Sequence, residues 1–346
     1  MSEVAFHELA AADRREALHA AQDASGRRAF LLEKDVWVVH TLRVLFDGPF
    51  GADIVFKGGT SLAKAYHAIR RFSEDVDVTY DIRALAPDLV RASGEDPLPA
   101  TRSQEKRWTK SIRSRLVEWV RDEAQTVVVN SLSQWLHADV SVSGDKLVVR
   151  YEALLDDAGF VRPEVIVEFG ARATGEPHEQ RAVACDAAAW LPDVVFPTAR
   201  PTVMMAERTF WEKATAMHVF CCQQRRRGER LSRHWHDLVR LDEAGYAASA
   251  LGDRELAVSV ARHKAAFFRE KDAAGAWIDY ERAVSGGLRL VPPGAARDTL
   301  EQDYGRMVDD GMLLDDAEPF GVLMERCADL EARANGDASA TKRTVS

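Results

Sequence analysis

Lys57-Gly58-Gly59-Thr60-Ser61-Leu62, followed by Ser73-Glu74-Asp75-Val76-Asp77, is the stretch on which the fold turns. Asp53-Ile54-Val55-Phe56 reads as a short strand, Gly58-Gly59 as a turn, and the residues after it as a helix ending near Arg70, with Thr60 or Ser61 as its cap. Val76 to Tyr80 alternates as a strand does. Strand residues two apart share a face, roughly 6.5–7 Å from one another. Asp75 and Asp77 therefore converge on one divalent cation or on a pair. The glycine pair lets backbone N–H groups approach a phosphate with no side chain in the way. It is not a Walker loop, because the Gly-x-x-x-x-Gly-Lys-Ser/Thr pattern is absent. A tight turn with a capped helix, and two carboxylates on a solvated edge, is the plainer reading of the same residues.

Outward from this stretch, residues 5 to 47 read as two helices, the second carrying Trp37, Val38, Leu42 and Leu45 at helical spacing. Residues 84–100, with Pro87, Gly94, Pro97 and Pro99, read as a loop or irregular insertion. Residues 102–124 are amphipathic and helical. Thr126–Val129, Ala138–Val142 and Lys146–Tyr151 read as strands, with a hairpin turn at Ser143-Gly144-Asp145. Val165–Phe169 is an apolar strand. From about Val203 the pattern is almost wholly helical. The expected organisation is an α+β chain: a mixed α/β core over residues 1–200, a helical half over 201–335 and a disordered tail over 336–346.

The 346 residues suffice for one large or two ordinary domains. Apolar residues make up 46% and charged ones 29%, as in soluble globular proteins. No apolar run is long enough for a membrane span. The acidic start lacks a signal core, and Cys185, Cys221, Cys222 and Cys327 lack metal-ligand spacing, so a reducing cytoplasm is expected. The net charge of −9 argues against a protein that coats nucleic acid. Any nucleic-acid contact must therefore come from a local patch. Arg225, Arg226, Arg227, Arg230, Arg233 and His234 supply a candidate, a solvated loop being the alternative.

Three further features carry chemistry. Glu168 interrupts the apolar run Val165-Ile166-Val167-Glu168-Phe169, where an unpaired carboxylate is costly. It is the candidate third acid for a metal site; the alternative is an ion pair with an arginine such as Arg172. Lys213, in Thr209-Phe210-Trp211-Glu212-Lys213, borders a buried stripe and can reach a triphosphate as a point charge, or pair with a helix-surface glutamate. Asp237 lies in His234-Trp235-His236-Asp237, where it can accept a proton, orient a base, or pair with Arg233 or Arg240.

Together and in this order, these motifs resemble the AbiEii/AbiGii-type nucleotidyltransferases, the toxin halves of abortive-infection and toxin–antitoxin systems, over roughly residues 30 to 245. The resemblance implies a DNA polymerase β-like nucleotidyltransferase core followed by a helical part. It implies that Gly58, Gly59, Thr60 and Ser61 cradle the triphosphate of an NTP, with Lys57 and Arg71 near it. Asp75 and Asp77, with Glu168 as third acid, would bind Mg²⁺ or Mn²⁺. Lys213 would contact the nucleotide and Asp237 would serve catalysis. The implied acceptor is RNA, the tRNA 3′ end in members that stop translation, and the implied partner a cognate antitoxin encoded nearby. A transferase acting on a protein or small molecule, and a silent nucleotide-binding member, are the alternatives. Residues 1–28 and those after about 250 show no family pattern.

Overall fold

Alternation of burial along a few short strands sets the architecture of the first half of the chain. The computed structural model describes residues 4–73, 75–91, 97–132, 135–155, 162–224, 230–313 and 317–336. The seven strands of the main sheet are β1 (Ile54–Lys57), β2 (Asp75–Tyr80), β3 (Ala138–Ser143), β4 (Lys146–Tyr151), β5 (Glu164–Gly170), β6 (His178–Gln180) and β7 (Thr202–Met204). They run in the order β3-β4-β5-β2-β1-β7-β6. The β2–β5 and β1–β7 pairs are parallel and the remaining pairs antiparallel, so the sheet is mixed.

One face of this sheet is apolar. Phe56, Val78 and Phe169 are cross-strand neighbours on it, as are Val76, Val167 and Leu147. All six are buried, each worth about 1.5–3 kcal/mol relative to exposure. Helices cover them. Trp37 of α2 (Ala29–Phe46), the helix that follows α1 (Ala11–Ser25), stacks on Tyr151 with ring centroids 4.7 Å apart. Trp119, at the end of a helix over Arg102–Trp119, meets Phe169 edge-on at 5.2 Å and packs on Tyr80 at 4.5 Å. The opposite face carries the charged residues.

Residue contacts divide the chain into two units: Met1–Ala65, Ser73–Pro97 and Arg107–Met204 form one, and Tyr66–Phe72, Leu98–Lys106 and Met205–Ser346 the other. The second is helical. Its main elements are the helices Ala206–Gln223, Arg233–Glu243, Tyr246–Gly252, Arg254–Phe267, Gly294–Asp309 and Phe320–Ala334. Phe220 meets Trp235 edge-on at 5.2 Å, and the Trp211 indole donates to Ala250 O at 3.0 Å, tying the first three helices together. Among the described residues no helix is long and apolar enough to cross a membrane.

Three local expectations are corrected. Thr126–Val129 is not a strand but part of a helix over Gln125–Leu132, joined to the preceding helix through a π-turn. Ala124, Val128 and Leu132 are buried at a spacing of four, and that packing outweighs the β preference of a Thr-Val-Val-Val run. The helix after the glycine pair, α3 (Gly58–Lys64), stops well before Arg70. Residues 84–100 hold the end of one short helix, Ile82–Leu85, and a second, Pro87–Val90; 92–96 lie outside the described residues. So does nearly all of the expected tail.

A buried ionic network anchors α3. Lys64 lies 2.5 Å from Asp35 of α2 and 2.6 Å from Asp186, while the Asp186 backbone N–H donates to Asp35 at 2.6 Å. Burial pushes the Asp35 carboxyl up from its ordinary value, and Lys64 pulls it back. Removing one partner of a buried pair costs about 3–5 kcal/mol. Lys64→Met is therefore expected to lower the urea unfolding free energy by that amount at pH 7. The loss should shrink on acidification, because protonating Asp35 removes the stranded charge; an unchanged unfolding midpoint would refute the anchor.

Candidate active site

Register places four charged residues in one row across the sheet. Lys57 of β1 pairs with Asp77 of β2, Asp77 with Glu168 of β5, and Glu168 with Lys146 of β4. Directly opposed residues project from the same face. The row therefore reads cation, carboxylate, carboxylate, cation. Asp75, two residues before Asp77, lies on the same face. Lys146 binds Glu168 directly, and that hydrogen bond raises the lysine pKa. Lys57 reaches across β2: its ammonium lies 3.9 Å from where a Cβ on Gly170 would stand.

The glycine turn meets this row. Gly58 has φ +81°, in the left-handed region. A Cβ there would lie 3.0 Å from Asp77 Cβ and closer still to its carboxylate. Position 58 thus needs glycine for its conformation and also for the approach of Asp77. The neighbouring hydroxyls face inward. Thr60 donates its one hydroxyl proton to Asp75 O at 2.5 Å and lies 2.9 Å from Ser73 Oγ, from which it can accept, and Ser61 donates to Gly58 O at 2.9 Å. Both are buried. Neither caps α3, which begins at Gly58 without a side-chain cap. Thr60 instead ties the helix to the start of β2, the strand that carries both aspartates.

The donor set suits a hard divalent cation. Mg²⁺ takes one or two protein carboxylates together with substrate phosphates, and Asp75 and Asp77 provide two on one face. Among the described residues no group of three acidic, histidine or cysteine side chains gathers as a metal cage. Glu168 is next in register to Asp77; it forms an ion pair, as the alternative reading has it, but with Lys146 instead of an arginine such as Arg172.

The helical unit holds the second cluster. Asp237 is fully buried and grips Arg71 through both oxygens: Nε donates to Oδ1 at 2.6 Å and Nη2 to Oδ2 at 2.8 Å. Lys213 Nζ lies 2.9 Å from the same Oδ2. Burial alone would raise the Asp237 pKa; the charges of Arg71 and Lys213 overcome it and hold the carboxyl well below its ordinary range. A carboxylate so buried and so compensated is a poor proton acceptor and a good clamp. Lys213 also lies 3.4 Å from His234 Nδ1. An ammonium only donates, so Nδ1 accepts and the imidazole carries its proton on Nε2. Burial, reinforced by Lys213 and Arg233, keeps His234 neutral. Two cations on one carboxylate leave the cluster with a net positive charge.

Sequence reasoning misses Lys146 and the link from His234 to Lys213. Lys146 is legible only as the polar start of a strand; its partner depends on the β4–β5 register. Arg225–Arg227 of the basic patch lie outside the described residues.

Two substitution sets test this geometry. Gly144 also has positive φ, +64°, but a Cβ added there would meet nothing within 4 Å. Gly144→Ala is expected to cost only the conformational term, about 1–2 kcal/mol, whereas Gly58→Ala should cost measurably more in urea unfolding; equal losses would refute the Asp77 contact. Asp237→Asn strands two cations and should cost about 3–5 kcal/mol at pH 7. A depressed pKa stabilises above the unfolded value, so the gap from wild type should narrow as pH falls below about 4; a pH-independent gap would contradict the charged clamp.

The family model described as "Nucleotidyl transferase AbiEii toxin, Type IV TA system" matches residues 41–326. Among solved structures, the chain is similar to MenT4, a nucleotidyltransferase toxin from Mycobacterium tuberculosis, with 19% identity and a TM-score of 0.40 over 97% of this chain and 91% of that one. A search of curated proteins found no significant match.

Proposed function

This chain belongs to the AbiEii family of nucleotidyltransferase toxins of type IV toxin–antitoxin systems, and from that membership we propose that it transfers a nucleoside monophosphate from an NTP to an RNA acceptor, with the tRNA 3′ end as the target and a block of translation as the result. The observation that carries the assignment of the site is the row Lys57–Asp77–Glu168–Lys146 with Asp75 on the same face and the bare backbone of Gly58 against Asp77.

In this reading Asp75 and Asp77 hold the divalent ion, Mg²⁺ or Mn²⁺. Bound there, it supplies neutralisation of the triphosphate and a lowered pKa for the attacking hydroxyl. Gly58 and Gly59 offer backbone to the phosphates, and Lys57 offers a cation beside them. Thr60 and Ser61, whose hydroxyls are engaged within the protein, support the turn rather than grip the nucleotide. Glu168 serves as a third acid only on release of Lys146. Lys213 contacts the nucleotide from a position fixed by Asp237, and Arg71 shares that clamp. Asp237 acts by orientation, not by taking a proton. The acceptor hydroxyl gives its proton to water and forms a new bond to the α-phosphorus, the bond to the bridging oxygen breaks, and pyrophosphate leaves with the electron pair. The cognate antitoxin is the implied protein partner.

Incubation with an α-labelled NTP and total RNA tests the proposal. Wild type should label RNA in a way that EDTA abolishes. Asp75→Ala combined with Asp77→Ala should leave no label while folding normally by circular dichroism. A double variant that labels as well as wild type would overturn the metal assignment. Label that appears on protein and not on RNA would move the acceptor to a protein hydroxyl at the same site.

A further inference from the structure

A cavity of about 230 Å³ lies within the helical unit, walled by Phe220, Trp235, Phe268 and Tyr280, with His234, Lys264 and Glu270 among its polar lining. The aromatic residues bring ring surface to it, because their polar tips are bound elsewhere. The Trp235 indole donates to Leu290 O at 2.6 Å, and the Tyr280 hydroxyl donates to Phe268 O at 2.7 Å. Phe268 is partly exposed, and Lys264 sits over its ring at 5.0 Å. Pockets for drug-sized ligands run to about 300–1,000 Å³. This one is smaller and suits a single planar ring system. The polar side chains of the lining are His234, Lys264 and Glu270, whose carboxylate accepts from Gln223 Nε2 at 2.9 Å, so a base edge would meet them as a polar rim already held in place.

The cavity has one direct link to the site. His234 lines it and, through Nδ1, contacts Lys213, the lysine assigned to the nucleotide. A ring held against these walls would have its edge beside the residue that touches the cation for the phosphates. We propose that this cavity is a nucleobase-binding site, filled by the base of the incoming NTP or by the unpaired terminal base of the RNA acceptor. Aromatic walls stack with any base, and the few polar groups at the edge select among them. The inference rests on the nucleotidyl-transfer reading and extends it to residues beyond 250, where sequence shows no motif.

Equilibrium binding separates the sources. The ligands are each NTP, inorganic tripolyphosphate as a base-free probe, and a single-stranded oligoribonucleotide. Phe268→Ala removes a partly exposed ring, and Phe268→Trp restores stacking surface. If the NTP base fills the cavity, Phe268→Ala should weaken NTP binding roughly ten-fold, leave tripolyphosphate unchanged and be rescued by Phe268→Trp. If the RNA end fills it, the same pattern should appear with the oligoribonucleotide and not with NTP. Wild-type affinity of Phe268→Ala for both ligands would overturn the proposal, as would a wild-type protein that binds neither. The transfer reading fails separately, if wild type binds nucleotide yet moves no label to RNA.

Discussion

The approach of the Asp77 carboxylate to Gly58 is the contact on which the first unit is organised. It requires a left-handed turn at the end of β1, a residue without a side chain at that turn, and a register that sets Lys57 opposite Asp77. The same register carries on to Glu168 and Lys146. Like charges on adjacent strands repel, and the row tolerates its two neighbouring carboxylates because a lysine flanks each end. Thr60 and the Lys64 network hold α3 against this arrangement from the other side of the turn. The turn is thus held by its neighbours on both sides.

The helical unit solves a different problem. Lys213 is buried, and an ammonium buried without a partner is strongly disfavoured. Asp237 pairs with it and points it, while being itself fully desolvated, and Arg71 offsets that desolvation. Because the aspartate is shared between two cations, the cluster remains positive.

Sequence discloses the parts of this design that depend on local periodicity. Asp75 and Asp77 share a face because strands repeat every two residues, and the need for glycine at 58 follows from its turn. It does not disclose partners set by topology. Arg71 meets Asp237 across 166 positions of sequence. Glu168 finds Lys146 only once β4 and β5 pair in register. The Thr60 and Ser61 hydroxyls, which sequence offers as phosphate donors, turn inward because the backbone around them also needs partners. Thr126–Val129 misleads as a strand because propensity is local and the packing that overrides it is not.

The crowding at Gly58 has an evolutionary consequence. A toxin gene whose antitoxin is lost survives in a growing cell only if it is disarmed. The gentlest disarming change spares the core, so that no misfolded chain burdens the cell. Any non-glycine residue at 58 meets an aspartate rather than the apolar core. Position 58 offers no such change: a side chain there strains the left-handed turn and displaces the carboxylate on which the first unit is organised, so it loosens the fold as well.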